Sequence, residues 1–68
     1  MEEMLYTVPE VATLLKTDEP TVRELIRKNV LRGLKLGRLK VTKMELVRFL
    51  NNYTGKDLSN LDNIKELN

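Results

Sequence analysis

The segment from residue 18 to residue 28 reads Asp-Glu-Pro-Thr-Val-Arg-Glu-Leu-Ile-Arg-Lys. It opens with helix-start signals, because Asp18 can cap free amides, Glu19 suits the positive end of the helix dipole, and Pro20 is tolerated in a first turn. Apolar side chains then recur at spacings of three and four, as on one buried helix face: Val22, Leu25, Ile26. Since Asn29 readily adopts the left-handed conformation, we predict that this helix ends near residue 28.

The opposite side of this predicted helix is basic, with three cations: Arg23, Arg27, Lys28. An α-helix fits the major groove of DNA, where arginine can pair with guanine O6 and N7. We therefore predict that Arg23 reads a base, and that Arg27 and Lys28, nearer the helix end, meet phosphates. A charged face that only keeps the surface soluble is the alternative.

A preceding helix is predicted over residues 8–15. Thr7 and Glu10 have the spacing of a capping box, and Pro9 is harmless in the first turn. The inward face of this helix is predicted to hold Val11, Ala12, Leu14 and Leu15. Because only a tight turn separates the two helices, they form a predicted helix-turn-helix unit.

On the other side, residues 34–41 alternate apolar residues with cations around Gly37, which can supply the positive φ of a hairpin turn. An isolated hairpin is marginal in water, so its apolar side chains are expected to lie on the helices: Leu34, Leu36, Leu39, Val41. The hairpin cations are predicted to contact the DNA backbone or the adjacent minor groove as a wing: Lys35, Arg38, Lys40.

A third helix is predicted from a second capping box, Thr42 and Glu45, to residue 52 or 53. Its inward face is predicted to hold Leu46, Val47, Phe49 and Leu50. The pattern therefore predicts a mostly α fold with a small β-hairpin over residues 1–53. This fold is a winged helix-turn-helix, with three helices plus a two-stranded wing.

Residues 54–68 form a polar tail in which apolar residues recur every third position: Leu58, Leu61, Ile64, Leu67. Ser59 and Asp62 could cap a short terminal helix that bears this stripe. The stripe has two interpretations: it covers the small core, or it docks on a neighbouring copy or on a recombinase.

The composition excludes several classes of protein. A chain of 68 residues has room for one small core, and it contains neither cysteine nor histidine. Disulfides and thiolate metal sites are therefore excluded, and the commonest general base is missing, so we predict no enzyme, cofactor or metal site. No segment approaches the about 20 apolar residues of a membrane span, and the acidic start is unlike a signal peptide. A cytoplasmic location is expected.

Positive charge is concentrated in the middle of the chain. Nine of the 12 lysine and arginine residues lie between positions 21 and 48, where two glutamates accompany them. This asymmetry favours an anionic partner.

Residues 6–50 resemble the small winged helix-turn-helix domains of the excisionase family, which are similar to the DNA-binding heads of MerR-type regulators. The matching pieces are Tyr6-Thr7-Val8-Pro9-Glu10-Val11-Ala12, Leu14-Leu15-Lys16, Thr21-Val22-Arg23-Glu24-Leu25-Ile26-Arg27-Lys28, Lys35-Leu36-Gly37-Arg38, Val41-Thr42-Lys43 and Leu46-Val47-Arg48-Phe49-Leu50. The resemblance implies that Gly37 and Arg38 form the wing turn and that Arg38 contacts DNA.

This chain departs from the family pattern at Glu19, Pro20 and Glu24, where relatives often carry small polar or basic residues. A glutamate can accept a hydrogen bond from cytosine N4, but it also repels phosphate. Base contacts are therefore assigned to Thr21 and Arg23 rather than to the glutamates. The full predicted DNA-contacting set is Pro20, Thr21, Arg23, Arg27, Lys28, Lys35, Arg38 and Lys40.

Together, the residues and the resemblance predict sequence-specific binding of double-stranded DNA by a non-catalytic, excisionase-like recombination directionality factor of a mobile element. In that role, implied by the resemblance, several copies bind adjacent sites, bend the DNA and contact an integrase of the tyrosine recombinase class. We expect a monomer in solution that associates cooperatively on DNA. Two alternatives stay open: a small transcriptional regulator of the same fold, and an adaptor whose basic face meets an acidic protein.

Overall fold

The helices of the computed structural model begin at the polar side chains that the sequence marks as caps. The structure describes residues 4–67, so the acidic residues 2 and 3 and the last residue of the tail lie outside the described residues. In chain order the elements are β1 (Leu5–Thr7), α1 (Val8–Leu14), α2 (Glu19–Arg27), β2 (Leu34–Leu36), β3 (Arg38–Thr42), α3 (Lys43–Tyr53), β4 (Lys56–Asp57) and β5 (Lys65–Glu66). The predicted winged helix-turn-helix is confirmed.

A side-chain cap defines the start of each helix in the helix-turn-helix unit. The backbone amide of Thr7 donates to Glu10 Oε1 at 2.8 Å, and Thr7 Oγ1 accepts from the Glu10 amide at 3.4 Å, which completes the predicted capping box. At the start of α2, Asp18 Oδ1 accepts from the amide of Thr21 at 2.9 Å. The hydrogen bonds from Thr21 lower the pKa of Asp18, so this cap is charged at neutral pH.

Both helices of the unit end in the same way, with a left-handed residue that is not glycine. Lys16 has φ 56° after α1, and Asn29 has φ 60° after α2. In each case two amides beyond the helix bond back to carbonyls of the last turn; after α2 these are Asn29 to Ile26 and Val30 to Leu25, both at 3.0 Å. The left-handed residue Asn29 was predicted from the sequence, whereas for α1 only the end near residue 15 was predicted and not the left-handed Lys16.

The wing belongs to a three-stranded antiparallel sheet with strand order β1-β3-β2, because β1 pairs along the free edge of β3. The hairpin register is centred on Gly37, whose φ is +69°, and it places Lys35 opposite Leu39 and Leu36 opposite Arg38. Opposite residues share a sheet face, so Leu36 lies on the face away from Leu39.

This register corrects the expected apolar face of the hairpin. Val41 is fully buried and Leu39 packs against the core, but Leu34 and Leu36 are exposed. All four could share a face only if the hairpin were paired one residue out of step, with a turn of an even number of residues. The odd-numbered turn at Gly37 sends the two leucines of β2 to the opposite side.

The core is formed by α1, α2, α3, the middle strand and the segment between α2 and β2. The residues with no side-chain exposure come from four of these parts: Val11, Val22, Leu31, Val41. On α3, Leu46 and Phe49 are buried, whereas Val47 and Leu50 are each 50% exposed, which corrects their predicted inward position. The helix meets the core on one side only, so its inward stripe is narrower than the sequence pattern suggests.

The second predicted capping box is only half formed. Thr42 Oγ1 accepts from the Glu45 amide at 3.0 Å, but the Glu45 carboxylate does not return to Thr42. It accepts instead from the amide of Arg32 at 2.8 Å and from Nε and Nη2 of Arg48 at 2.7 and 2.5 Å. This buried carboxylate therefore ties α3 to the segment that follows α2.

The tail adopts an antiparallel pair of short strands, β4 and β5, instead of the short helix considered from the sequence. Asp57 accepts from the Ser59 amide at 2.9 Å, and Asn60 accepts from the Asp62 amide at 3.0 Å. Such local bonds from side chain to backbone compete with helix formation, which explains the difference. Among residues 4–67, none of the helices combines the length and the hydropathy needed to cross a bilayer.

A candidate nucleic-acid interface

A groove of about 670 Å³ runs between the wing and the starts of the first two helices. It brings together residues from five elements and from the wing turn. Its lining residues are Thr7, Val8, Pro9, Glu19, Arg23, Lys35, Gly37, Arg38 and Leu39. We call this the helix-wing groove. Three of the eight predicted DNA-contacting residues lie in it: Arg23, Lys35, Arg38.

Arg23 occupies the groove because α2 buries its other side. Val22 has no exposure, Leu25 is 5% exposed, and Ile26 packs against the core. The guanidinium of Arg23 therefore projects outward, with its Nη2 at 3.8 Å from Glu19 Oε1, one turn earlier. An arginine on the exposed side of a helix can donate two parallel hydrogen bonds to guanine, so this placement agrees with the role predicted for Arg23.

Lys35 and Arg38 reach the groove from the two strands of the wing. Lys35 shares a sheet face with Leu39, which packs against the core, so its side chain lies on the helix side of the wing. Arg38 is paired with Leu36 on the other face of the sheet, and it meets the groove at the wing tip, next to Gly37, which also lines it. Cations from a helix and from a hairpin therefore converge on one surface, a pattern that suits a polyanion wider than a single phosphate.

Glu19 also lines the groove, although no base contact was predicted for it from the sequence. Its carboxylate lies beside Arg23 in the helix-wing groove. A carboxylate there repels phosphate but can accept from the exocyclic amino group of a base, so it favours a base edge at this position. The sequence indicates that Glu19 lies beside Arg23, since their i to i+4 spacing places them on one helix face.

Arg27 and Lys28 do not line the helix-wing groove. Arg27 donates through Nε to Glu24 Oε1 at 2.6 Å and through Nη2 to Glu24 Oε2 at 3.2 Å. Lys28 Nζ donates to Asp62 Oδ1 of the tail at 2.6 Å, and this bond holds the pKa of Asp62 below its usual range. Both cations at the end of α2 thus have carboxylate partners within the chain.

Lys40 stabilises the wing turn through hydrogen bonds within the hairpin. Its Nζ donates to the carbonyl oxygens of Leu36 at 3.0 Å and of Arg38 at 3.3 Å, one on each side of the turn. A single ammonium therefore joins the two strands at their tip, which restrains the conformation of the turn.

The two remaining predicted contacts lie at the exposed start of α2. Pro20 follows Glu19 and is exposed. Thr21 lines a different pocket, a mainly apolar one of about 410 Å³, together with residues from the turn before α2, from α2, from α3 and from the tail. Thr21 follows Glu19 by two positions, and this spacing turns their side chains to opposite sides of the helix axis.

Three of the four apolar tail residues pack against the core. Leu58, Leu61 and Ile64 are partly buried there, and Leu58 and Leu61 also line the apolar pocket. Leu67 is 66% exposed. The predicted stripe is therefore divided between a part that covers the core and one exposed side chain.

Two helices joined by a tight turn, with a basic wing beside the second, define the class of winged helix-turn-helix proteins. A family model described as a helix-turn-helix domain matches residues 5–54, which run from β1 to the residue after α3. Because this match covers well over half of the sequence, the chain belongs to the helix-turn-helix domain family. Membership supports sequence-specific binding of duplex DNA. No curated protein and no solved structure gives a match to the chain.

Proposed function

We propose that the helix-wing groove is the DNA-binding surface and that α2 reads the major groove through Arg23. The observation that carries this proposal is the convergence of Arg23, Lys35 and Arg38, from a helix and a hairpin, on one groove. In this arrangement Lys35 and Arg38 contact the sugar-phosphate backbone or the adjacent minor groove. The DNA-binding unit is residues 1–53, and the tail is an accessory segment.

The remaining predicted contacts have supporting roles in this proposal. Pro20 starts α2 close to the duplex, and Lys40 holds the wing turn. Arg27 and Lys28 reach phosphates only by exchanging their carboxylate partners, Glu24 and Asp62, for DNA. Such an exchange is open to exposed ion pairs, which are worth little in water.

A salt titration tests the binding mode. Contacts from the groove cations and their neighbours to about five phosphates give a slope of about −4.5 when log affinity is plotted against log salt concentration. Fluorescence anisotropy with a labelled duplex measures this slope. A slope near zero would contradict a surface that binds through phosphates.

We further propose that the protein acts in the cytoplasm as an excisionase-like recombination directionality factor, without catalysis of its own. The resemblance of residues 6–50 to that family supports this role. The test is an excision assay with the tyrosine recombinase encoded nearest to the gene. We expect the chain to stimulate excision and Arg23→Ala to lose most of the stimulation.

Two other outcomes would indicate the alternatives. Binding confined to a promoter, with no effect on excision, would assign the protein to transcriptional regulation. An acidic protein partner that unrelated duplex DNA cannot displace would indicate an adaptor.

A further inference from the structure

The wing presents an apolar strand beside a basic strand on the sheet face turned away from Leu39. Leu34 is paired with Lys40, and Leu36 with Arg38, so these four side chains share that face. Leu36 is 62% exposed and Leu34 is 43% exposed. The role proposed for the groove does not account for two leucines held in water at the tip of a DNA-binding hairpin.

The tip that carries Leu36 is held in place. Gly37 turns the chain with φ +69°, and Lys40 Nζ bonds the carbonyls of Leu36 and Arg38 on both sides of it. Leu36 is thus a short apolar side chain on a restrained turn. Little further ordering is needed before it can enter a partner, which favours tight insertion.

The charges around the leucines point to a polyanion as the partner. Residues 25–44 contain seven lysine and arginine residues and neither aspartate nor glutamate. Arg38, opposite Leu36 in the hairpin, also lines the helix-wing groove. The residue next to the wedge therefore belongs to the surface on which the proposed function places the duplex.

We propose that Leu36 enters the minor groove as a wedge, partly unstacks one base step and bends the DNA, an inference that rests on the proposed DNA-binding function. The minor groove offers apolar sugar walls and base edges to an inserted leucine, and its negative potential attracts Arg38 beside it. Leu34, further from the tip, contacts the sugar walls. Proteins that insert apolar wedges in this way bend the duplex by about 20–90°.

The bend is measured by energy transfer between dyes at the two ends of a duplex of about 20–30 base pairs. A second reporter, 2-aminopurine placed along the site, brightens where a base step unstacks. The variants are Leu36→Ala, Leu36→Met as the conservative replacement, and Leu14→Ala as the matched control. Leu14 is 53% exposed on α1 and lies outside the helix-wing groove.

We expect Leu36→Ala to bend the duplex by less than half of the wild-type angle and to lose the 2-aminopurine signal. Its affinity should fall by no more than about tenfold, because the cations that supply most of the binding remain. Leu36→Met should keep the bend, and Leu14→Ala should behave as the wild type. Circular dichroism establishes that each variant is folded.

Two results would overturn the inference alone while leaving DNA binding intact. One is a wild-type bend from Leu36→Ala. The other is a wild-type bend from Leu36→Ala at each single site, combined with weaker cooperativity between adjacent sites. That combination would assign the leucines to contact with a second copy of the protein. A wild-type chain that fails to bind any duplex would overturn the proposed function and the inference together.

Discussion

At the scale of single residues, the ion pair of Glu19 and Arg23 places opposite charges at neighbouring positions of the helix-wing groove. An arginine donates to guanine, and a glutamate accepts from the amino group of cytosine. Because the two side chains lie one turn apart on α2, they can address adjacent base pairs. In the proposed binding mode, the pair gives the groove a sequence preference that cations alone would not give.

Replacing Arg23 with alanine should weaken binding to the preferred site by about 1–3 kcal/mol, because one bidentate base contact is lost. The preference at one base pair should relax at the same time. Competition among duplexes that each differ by one base pair measures both effects. Arg23→Lys is the matched variant, since it keeps the charge but not the bidentate geometry. Equal binding of every duplex by wild type and Arg23→Ala would show that α2 does not read the bases.

Glu45 makes the stability of the fold depend on pH. The hydrogen bonds from Arg48 and the amide of Arg32 hold the pKa of this carboxyl below its usual range, although burial opposes them. Its charged form therefore stabilises the native state at pH values above the unfolded pKa of about 4.3. That contribution is lost as the pH falls through the lower pKa of the folded protein.

We expect Glu45→Gln to reduce the free energy of unfolding at neutral pH by about 1.5–3 kcal/mol, the usual range for hydrogen bonds to a charged group. Urea unfolding at several pH values measures the difference between wild type and variant. The difference should shrink below about pH 4, where the wild-type carboxylate becomes protonated. A difference that stays constant into acid would contradict this account of Glu45.

Among the elements, the tail is tied to the end of α2, the helix proposed to read DNA. Lys28 at the end of α2 bonds Asp62, which lies between β4 and β5. The aspartate offsets a cation that would otherwise be free to meet a phosphate. The tail therefore competes with DNA for the end of α2, if Lys28 contacts phosphate as proposed.

Replacing Asp62 with asparagine should release Lys28 and raise the affinity for all duplexes regardless of sequence. The salt slope should become steeper by about one, the effect of one added phosphate contact. Asp57→Asn is the matched control, because it removes the same charge from a tail residue that bonds Ser59 rather than a cation of α2. Equal gains from both variants would show that only the net charge matters.

The elements also show what can be predicted from sequence. The helix bounds were predicted to within one or two residues, because Thr7, Asp18 and Thr42 cap neighbours only three positions away. The hairpin register was not predicted correctly. The turn at Gly37 decides whether Leu36 shares a sheet face with Leu39 or lies on the opposite face. One residue of register was enough to expose two leucines.

Long-range partners were missed for a related reason. Local spacing suggested that Glu45 bonds Thr42, whereas the carboxylate meets the amide of Arg32, 13 positions earlier. Lys28 meets Asp62 across 34 positions. Such partners depend on how the elements pack, which the pattern within one element does not contain. For the same reason, the cations of the proposed interface could be predicted from the sequence, but not which of them share the groove.

At the scale of the whole molecule, a small core positions a basic helix and a basic hairpin on the same groove. Val22 and Leu25 anchor α2, and Val41 anchors the wing, in a single cluster of buried side chains. The orientation of Arg23 relative to Arg38 is therefore set by packing. This common anchoring lets a chain of 68 residues present both elements of the proposed DNA-binding surface.

NMR shows whether DNA binds along the helix-wing groove, because it locates the duplex on the surface of the protein. Amide chemical shifts of the labelled protein are recorded while a duplex is added at low salt, where even non-specific binding is strong. We predict that the largest changes fall in residues 19–23 and 35–39, whereas the amides of α3 and of the tail strands change little. Largest changes in α3 or the tail strands, with residues 19–23 and 35–39 unaffected, would contradict the account.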